Sequence, residues 1–438
     1  MITYTLALAL CLAGWLLAVR DPFWAVVGMA VLLPFDFALE LPPTVYTNEV
    51  YLLGVGLGFI LRHFKQGSFW KDLGKVYWIF LPFMVAVALS ALDAVDFWGV
   101  VKQCIRWGEF LLVMLVAGTC FRDHTRFNLL LRVIIGAGLL ASLMGLTQHF
   151  TGLNLFSSSA GLDGMNQVKG VMRAHSTFGH ANQFAGFLIL LIPLALELFF
   201  EQQQPRGLVL MGVVVLILGL TLATTYSRGG WLSTFLAVGI LLLYYIPKNI
   251  LRSLLLFLVF IALLLVLPFY VSKLNSRLGS LTNVKEDTAV TGRVFYQKLG
   301  WRLIAQKPVF GHGGGNYLIA IQSSLKAYPG ETPYLDKHIH NLYTQIGVET
   351  GLLGLAAFSF FIIMTFVRLL RNLKTIPTFA DRAMLVALAA SCLAFLFHNM
   401  FDVLVIYARG IHLALVIGIG FGYRRLVDRK PEPARSPA

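Results

Sequence analysis

Apolar stretches of about twenty residues recur along nearly all of this 438-residue chain, and they restrict its possible folds more than any other feature. A helix of ~20 residues spans the ~30 Å hydrocarbon core of a bilayer. With no water there to satisfy backbone N–H and C=O groups, a chain crosses only as helices or as a closed barrel. Barrel strands would show as alternating segments of about ten residues, a pattern this sequence lacks. Candidate crossings fall at 2–19, 22–40, 46–62, 76–92, 106–121, 128–149, 183–200, 207–225, 229–246, 252–271, 342–367, 383–401 and 403–423. The 22–40 run is broken by Pro34 and Asp36, so twelve crossings fit as well as thirteen. The expected fold class is an all-α polytopic membrane protein of about 12 (12–13) transmembrane helices, with residues 1–438 forming a single integral membrane domain.

Composition agrees. Of all residues 58% are hydrophobic and 13% charged, whereas a soluble domain carries about 25% charged residues. A soluble enzyme, a disordered chain and a disulfide scaffold are thereby excluded. Cys11, Cys104, Cys120 and Cys392 lie in or beside apolar runs without a C-x-x-C pair, and read as buried small hydrophobes. No basic segment precedes the first run and no small-residue cleavage site follows it, so it is expected to stay as a membrane helix.

The formal charge of +14 is mostly topology rather than a sign of a nucleic-acid partner. Arg62, Lys65, Lys71 and Lys75 fill one connection, and Arg122, Arg126 and Arg132 flank another. Arg206, Lys248 and Arg252 mark two more, followed by Arg368, Arg371, Lys374 and Arg382. If the helices alternate, all these clusters share one face, which the positive-inside rule assigns to the cytoplasm. Residues 424–438 then form a cytoplasmic basic tail.

Two segments on the opposite face carry the information about function. Residues 150–182 are polar and end in Arg173-Ala-His175-Ser-Thr-Phe-Gly-His180-Ala-Asn182. Residues 272–340 form a large loop on this outer face, inserted between transmembrane helices, too long for a mere connection and so expected to be folded or functional. Within it, 292–306 reads as an amphipathic surface helix, with Val294, Phe295, Leu299 and Trp301 opposite Arg293, Lys298 and Arg302.

Cations on this outer face need a reason, because positive-inside bias depletes them there. Arg228 stands in Thr224-Thr-Tyr-Ser-Arg-Gly-Gly-Trp231, beside two glycines that let a ligand or backbone approach. A snorkelling arginine is the plain alternative. Together with Arg173, Lys169 and Arg293 it would suit phosphate, which the planar guanidinium binds in bidentate fashion. The sharpest local signal is His338-Ile-His340-Asn341-Leu-Tyr343, running on to Glu349-Thr-Gly351. Asn341, Gln345 and Glu349 are spaced as one polar stripe of a helix, and Gly347 with Gly351 would let another element pack closely. A neutral imidazole can take a proton from a hydroxyl as a general base. No third ligand at a recognisable spacing joins His338 and His340, so no metal is expected. Gly311-His-Gly-Gly-Gly-Asn316 lacks the Lys and Ser/Thr of a phosphate loop and reads as a turn after Pro308. His398, Asn399 and Asp402 sit at the outer end of the penultimate run, with Asp402 placed to pair with Arg409.

These residues resemble the O-antigen ligase/polymerase superfamily of bacterial membrane glycan-assembly proteins. The resemblance rests on Ser176-Thr-Phe-Gly-His-Ala-Asn182, Thr225-Tyr-Ser-Arg-Gly-Gly-Trp231, Pro308-Val-Phe-Gly-His-Gly-Gly-Gly-Asn316 and the His338–Tyr343 stretch with Glu349-Thr-Gly351. It implies a bundle of about twelve helices in the bacterial inner membrane, with a catalytic region facing the periplasm. It further implies a metal-independent, cofactor-free glycosyltransferase that moves a glycan from an undecaprenyl-diphosphate-linked donor to an acceptor hydroxyl with inversion. The acceptor would be lipid A-core in a ligase or a second lipid-linked glycan in a polymerase. By motif, the essential arginines fall on Arg228 and Arg293 and the essential histidine on His338 or His340; Arg173, His180, Asn182, Asn341 and Glu349 would bind diphosphate or glycan. A secondary transporter is the competing class, weakened by the absence of similar halves.

Overall fold

Backbone groups that cannot bond to lipid bond along the helix axis instead, and the computed structural model is correspondingly helical. It describes residues 2–39, 45–66, 77–153, 167–168, 171–270, 288–327, 340–405 and 410–429. In chain order the helices are α1 (Ile2–Arg20), α2 (Pro22–Leu32), α3 (Thr47–Gln66), α4 (Leu81–Leu89), α5 (Phe97–Thr119), α6 (His124–Thr151), α7 (Ala181–Glu201) and α8 (Pro205–Thr224). They continue as α9 (Arg228–Tyr270), α10 (Thr288–Gln306), α11 (Tyr317–Ala327), α12 (Leu342–Leu370), α13 (Phe379–His398) and α14 (Gly410–Val427). Sheet is confined, among the described residues, to two antiparallel pairs of two-residue strands, Ala38–Leu39 with Val45–Tyr46 and Gln167–Val168 with Val171–Met172.

Eight of the described helices are long and apolar enough to cross a membrane: α1, α6, α7, α8, the Arg228–Lys248 part of α9, α12, α13 and α14. The other apolar runs take different forms, each for a local reason. The 22–40 run yields only the 11-residue α2, because the chain turns before Pro34 and Asp36. The 76–92 run is a short α4 flanked by 3₁₀ turns, Trp78–Phe80 and Ser90–Asp93. Helices α3 and α5 have 20 and 23 residues, but carry Glu49, Arg62 and Lys65, and Lys102, Arg106 and Glu109. The runs 229–246 and 252–271 fall in one 43-residue helix, Arg228–Tyr270, which continues through Pro247 and Asn249.

Glycines set the closest packing. Gly14, Gly54 and Gly58 let α1 and α3 meet backbone to backbone, Gly58 lying against the Trp15 carbonyl. That pairing leaves Leu8, Leu12 and Leu16 of α1 exposed, as a lipid-facing surface requires. Most of α7, α13 and α14 is buried, so these helices form the centre of the bundle. Around α12 an aromatic cluster locks neighbouring helices, with Phe80 against Phe361 (ring centroids 4.8 Å apart) and Phe83 against Trp107 (4.8 Å) and Phe358 (5.0 Å).

The surface helix forms as expected, but its apolar residues do not share one face. Leu299 is buried, together with Tyr296, Leu303 and Ile304, while Val294 and Trp301 stand about half exposed. The expected single stripe therefore mixes buried and exposed positions. Gly347 of α12 receives Ile304 of α10. Gly351 breaks the helical geometry of α12 with φ 67°, and the backbone of Val309 and Phe310 packs against it.

That last contact generates a stability test. A Cβ at Gly351 would meet both a left-handed conformation and the Val309 backbone, so Gly351→Ala should cost at least ~1 kcal/mol. Gly136, within α6, has open space around it, and Gly136→Ala should leave stability unchanged or slightly raised. Thermal unfolding of both variants in detergent checks the contrast; equal midpoints would contradict the kinked packing.

Candidate functional site

Three helix starts and one helix end converge around residues 396–403. Helix α7 begins after His180, its N-cap, whose Nδ1 accepts from the Asn182 N–H at 3.2 Å. Helix α12 begins after Asn341, whose Oδ1 accepts from the Thr344 N–H at 3.0 Å. The other end of that amide donates to the Met400 carbonyl at 3.2 Å. The Leu342 N–H donates to the Asn399 carbonyl, and the Tyr343 hydroxyl to that of Leu396, both at 2.9 Å. The start of α12 is thus tied to the end of α13. Helix α9 starts at Arg228, and its next residue, Gly229, is pressed so closely to His398 that a Cβ there would lie 2.9 Å from the imidazole Nδ1.

Asp402, four residues past α13, is where these segments meet. Asn182 Nδ2 donates to one carboxylate oxygen at 2.7 Å, and His340 Nδ1 lies 3.4 Å from the other. The Val403 N–H adds a third bond at 2.8 Å. Asn182 Oδ1 in turn accepts from the Arg173 guanidinium at 2.8 Å, and Arg173 Nε donates to the Thr225 carbonyl at 2.7 Å. One hydrogen-bonded path therefore runs from Thr225 through Arg173, Asn182 and Asp402 to His340. Gln148 of α6 holds the approach to it, its Oε1 accepting from the Ser176 N–H at 2.7 Å and its Nε2 donating to the Ser176 carbonyl at 2.8 Å.

The electrostatics follow from this arrangement. Burial pushes the Asp402 carboxyl up, but the hydrogen bond from His340 and the charges of His340, His180 and His398 outweigh it. Asp402 is held well below the usual carboxylate range and stays ionised. An ionised carboxylate only accepts, so His340 donates from Nδ1, and the neutral form of the ring has its lone pair on Nε2. His398 is buried beside it, against the backbone of Gly229 and Asn182, and the charges of Asp402 and Arg293 both act on it. The three helix starts, at Ala181, Arg228 and Leu342, add the positive ends of their dipoles to the cations there.

The conformation of this region is unusual. Ser176, Tyr226 and His340 are non-glycine residues with φ of 53°, 53° and 51°. Each costs on the order of 1–3 kcal/mol and persists only where the surroundings impose it.

Of the residues singled out from sequence, Arg173, His180, Asn182 and His340 join directly in the network, and Arg293 reaches it through its charge on His398. Arg228 is half-buried at the start of α9, beside the Gly229–His398 contact. Asn341 is engaged at both ends of its amide as a clamp between α12 and α13. Glu349 lies two turns deeper, accepting from Gln345 at 3.0 Å and from the N–H groups of Gly315 and Tyr317. It thereby anchors the Gly311–Asn316 turn, in which Gly311, Gly313 and Gly315 all have positive φ as a tight turn demands. His338, Lys169 and Arg409 lie outside the described residues. Among the described residues, no three His, Cys, Asp or Glu side chains are grouped as metal ligands.

The depressed Asp402 carboxyl makes a pH test possible. A group with a lowered folded-state pKa contributes stability above its unfolded value, near 4, and loses it only as pH falls through the folded value. The difference in thermal midpoint between the parent and Asp402→Asn should therefore not shrink from pH 7 to pH 5, and should shrink below about pH 4. A difference that collapses by pH 5 would contradict an ionised, compensated Asp402.

Comparison with known proteins adds the family. No curated protein matches the chain. Residues 213–359 match the family model described as O-antigen ligase, a segment that carries Arg228, Arg293, His340, Asn341 and Glu349. This match, over about a third of the chain, supports the resemblance to the O-antigen ligase/polymerase superfamily.

Proposed function

We propose that the chain is an O-antigen ligase-type glycosyltransferase, moving a glycan from undecaprenyl diphosphate to a hydroxyl of lipid A-core at the periplasmic face of the bacterial inner membrane. The observation that carries this reading is the His340–Asp402 pair, joined to Arg173 through Asn182. Arg293 acts on neighbouring His398, and Arg228 starts the helix whose Gly229 packs on that ring. His340, oriented through Nδ1 by Asp402, removes the acceptor proton with Nε2 as the hydroxyl attacks the anomeric carbon. Asp402 acts as a positioning residue, stabilising the imidazolium that forms. The diphosphate leaves from the opposite side of the sugar, so the configuration inverts. Negative charge grows on the departing phosphates, and fixed guanidinium groups aimed there lower the barrier. Arg228 and Arg293 fill that role, while Arg173 is held by Asn182 and Thr225 at the rim. Asn341 and Glu349 support the reading from behind, one fixing the start of α12 and the other the glycine turn.

A polymerase of the same superfamily would use the same groups with a second lipid-linked glycan as acceptor. The 272–340 loop, with nine Lys and Arg against four Asp and Glu, favours an acceptor rich in phosphate, such as lipid A-core. A transporter would place its polar residues near the bilayer midplane, whereas these cluster at helix ends.

Purified protein in detergent, supplied with undecaprenyl-diphosphate-linked glycan and lipid A-core in EDTA, tests the proposal. Transfer to the core is expected, with Arg228→Ala and His340→Ala each slower by roughly 10²–10³-fold or more. Chain extension without core would replace the ligase by the polymerase. Unchanged rates in both variants would overturn the assignment of the site.

A further inference from the structure

At the other end of α12 lies a cavity of about 550 Å³ between the ends of α12 and α14 and the start of the Trp78 turn. Its polar wall is Arg368, Arg371, Arg424 and Arg425, faced among the described residues by the carboxylate of Asp428. Asp428 is already committed, its two oxygens lying 2.9 Å from Nε and Nη2 of Arg424. Arg425 donates to the Gly118 carbonyl, and Arg368 lies over the Phe421 ring. Arg424 is 9% exposed, and its Nη1 is buried with no hydrogen-bond partner among the described residues. Four guanidinium groups lining one cleft repel one another, and an anion held between them offsets that repulsion.

The other wall is apolar. Met364 and Val367 line it, and Trp78 stands at its mouth, half exposed. From there Phe360 and Ile363 continue an exposed apolar strip along α12, with the Trp78 and Phe360 rings 6.0 Å apart. A cationic pocket opening onto an apolar strip fits an amphiphile with a phosphate head and acyl chains. A soluble phosphate would use the arginines and leave the strip without purpose. The positive-inside distribution puts this end at the cytoplasmic leaflet, where basic pockets between transmembrane helices receive anionic headgroups.

We propose that this cleft is a binding site for one anionic phospholipid, its phosphate held by Arg368 and Arg371 and its chains lying along Val367, Ile363 and Phe360. The lipid neutralises the arginine cluster and ties α12 to α14. The site lies apart from the proposed glycan-transfer groups and stands independently of that reading.

The test uses the full chain, delipidated in neutral detergent and titrated with phosphatidylglycerol under native mass spectrometry, with the thermal midpoint as a second readout. Phosphatidylcholine with the same chains and inorganic pyrophosphate are the comparison ligands. One phosphatidylglycerol is expected to bind per chain and raise the midpoint, with phosphatidylcholine and pyrophosphate each binding roughly tenfold more weakly or worse. Arg371→Gln, at an exposed position, and Arg368→Gln/Arg371→Gln should weaken lipid binding by about tenfold or more. Lys374→Gln, on the adjacent turn but outside the cavity, should leave it unchanged. Equal binding of phosphatidylcholine, or unchanged binding in both arginine variants, would overturn the proposal. Pyrophosphate binding as tightly as the lipid would overturn it too, marking a site for a soluble anion.

Discussion

A carboxylate with little access to water has to be surrounded by donors, and Asp402 draws them from two distant parts of the chain and from its own neighbour, Val403. Its side chain is only 16% exposed. Asn182 stands 220 residues away in sequence and His340 62, yet each contributes to one carboxylate. Removing that anion would leave the imidazole without an acceptor for Nδ1 and Asn182 without an acceptor for Nδ2. The start of α7, the start of α12 and the end of α13 are therefore fixed relative to one another by an electrostatic requirement as much as by apolar packing. The left-handed residues Ser176, Tyr226 and His340 are held at the same place. Strain of this kind is paid for by the surrounding network and is common where side chains must be presented in one geometry.

The same helices serve two chemistries at their two ends. Where α12 begins, cations, helix dipoles and an oriented imidazole share a small region around an ionised carboxylate. Where it ends, arginines line a cleft whose outer wall continues into an apolar strip. Between the two, the kink at Gly351 and the glycine turn anchored by Glu349 join α12 to the segment that follows α10. A shift of α10, which carries Arg293, would thus be felt by α12 through Ile304 at Gly347 and through Gln297, whose Nε2 donates to Thr344 Oγ1.

Much of this was legible in the sequence, because its signals are local. Apolar run length marks membrane helices directly, and the spacing of Asn341, Gln345 and Glu349 correctly places them on one stripe, with Gln345 bonded to Glu349. The turn at Gly311–Asn316 likewise follows from its glycines. Contacts between distant residues left no such trace. Asp402 was legible only as a candidate partner for Arg409, and its bonds to Asn182 and His340 have no periodicity to reveal them. Gln148, which holds Ser176 at both backbone groups, looks like any polar residue near a helix end. The faces of α10 were misjudged because hydropathy alone does not tell buried Leu299 from exposed Trp301.

The most direct measurement is a double-mutant cycle between Asn182 and His340, two residues joined through Asp402. Unfolding free energies of Asn182→Ala, His340→Ala and the double variant would be compared in detergent, and the cycle repeated in the Asp402→Asn background. A coupling energy of about 0.5 kcal/mol or more is expected in the parent, falling to near zero once the carboxylate is gone. Strictly additive losses in the parent, or a coupling that survives Asp402→Asn, would contradict Asp402 as the group that organises the site.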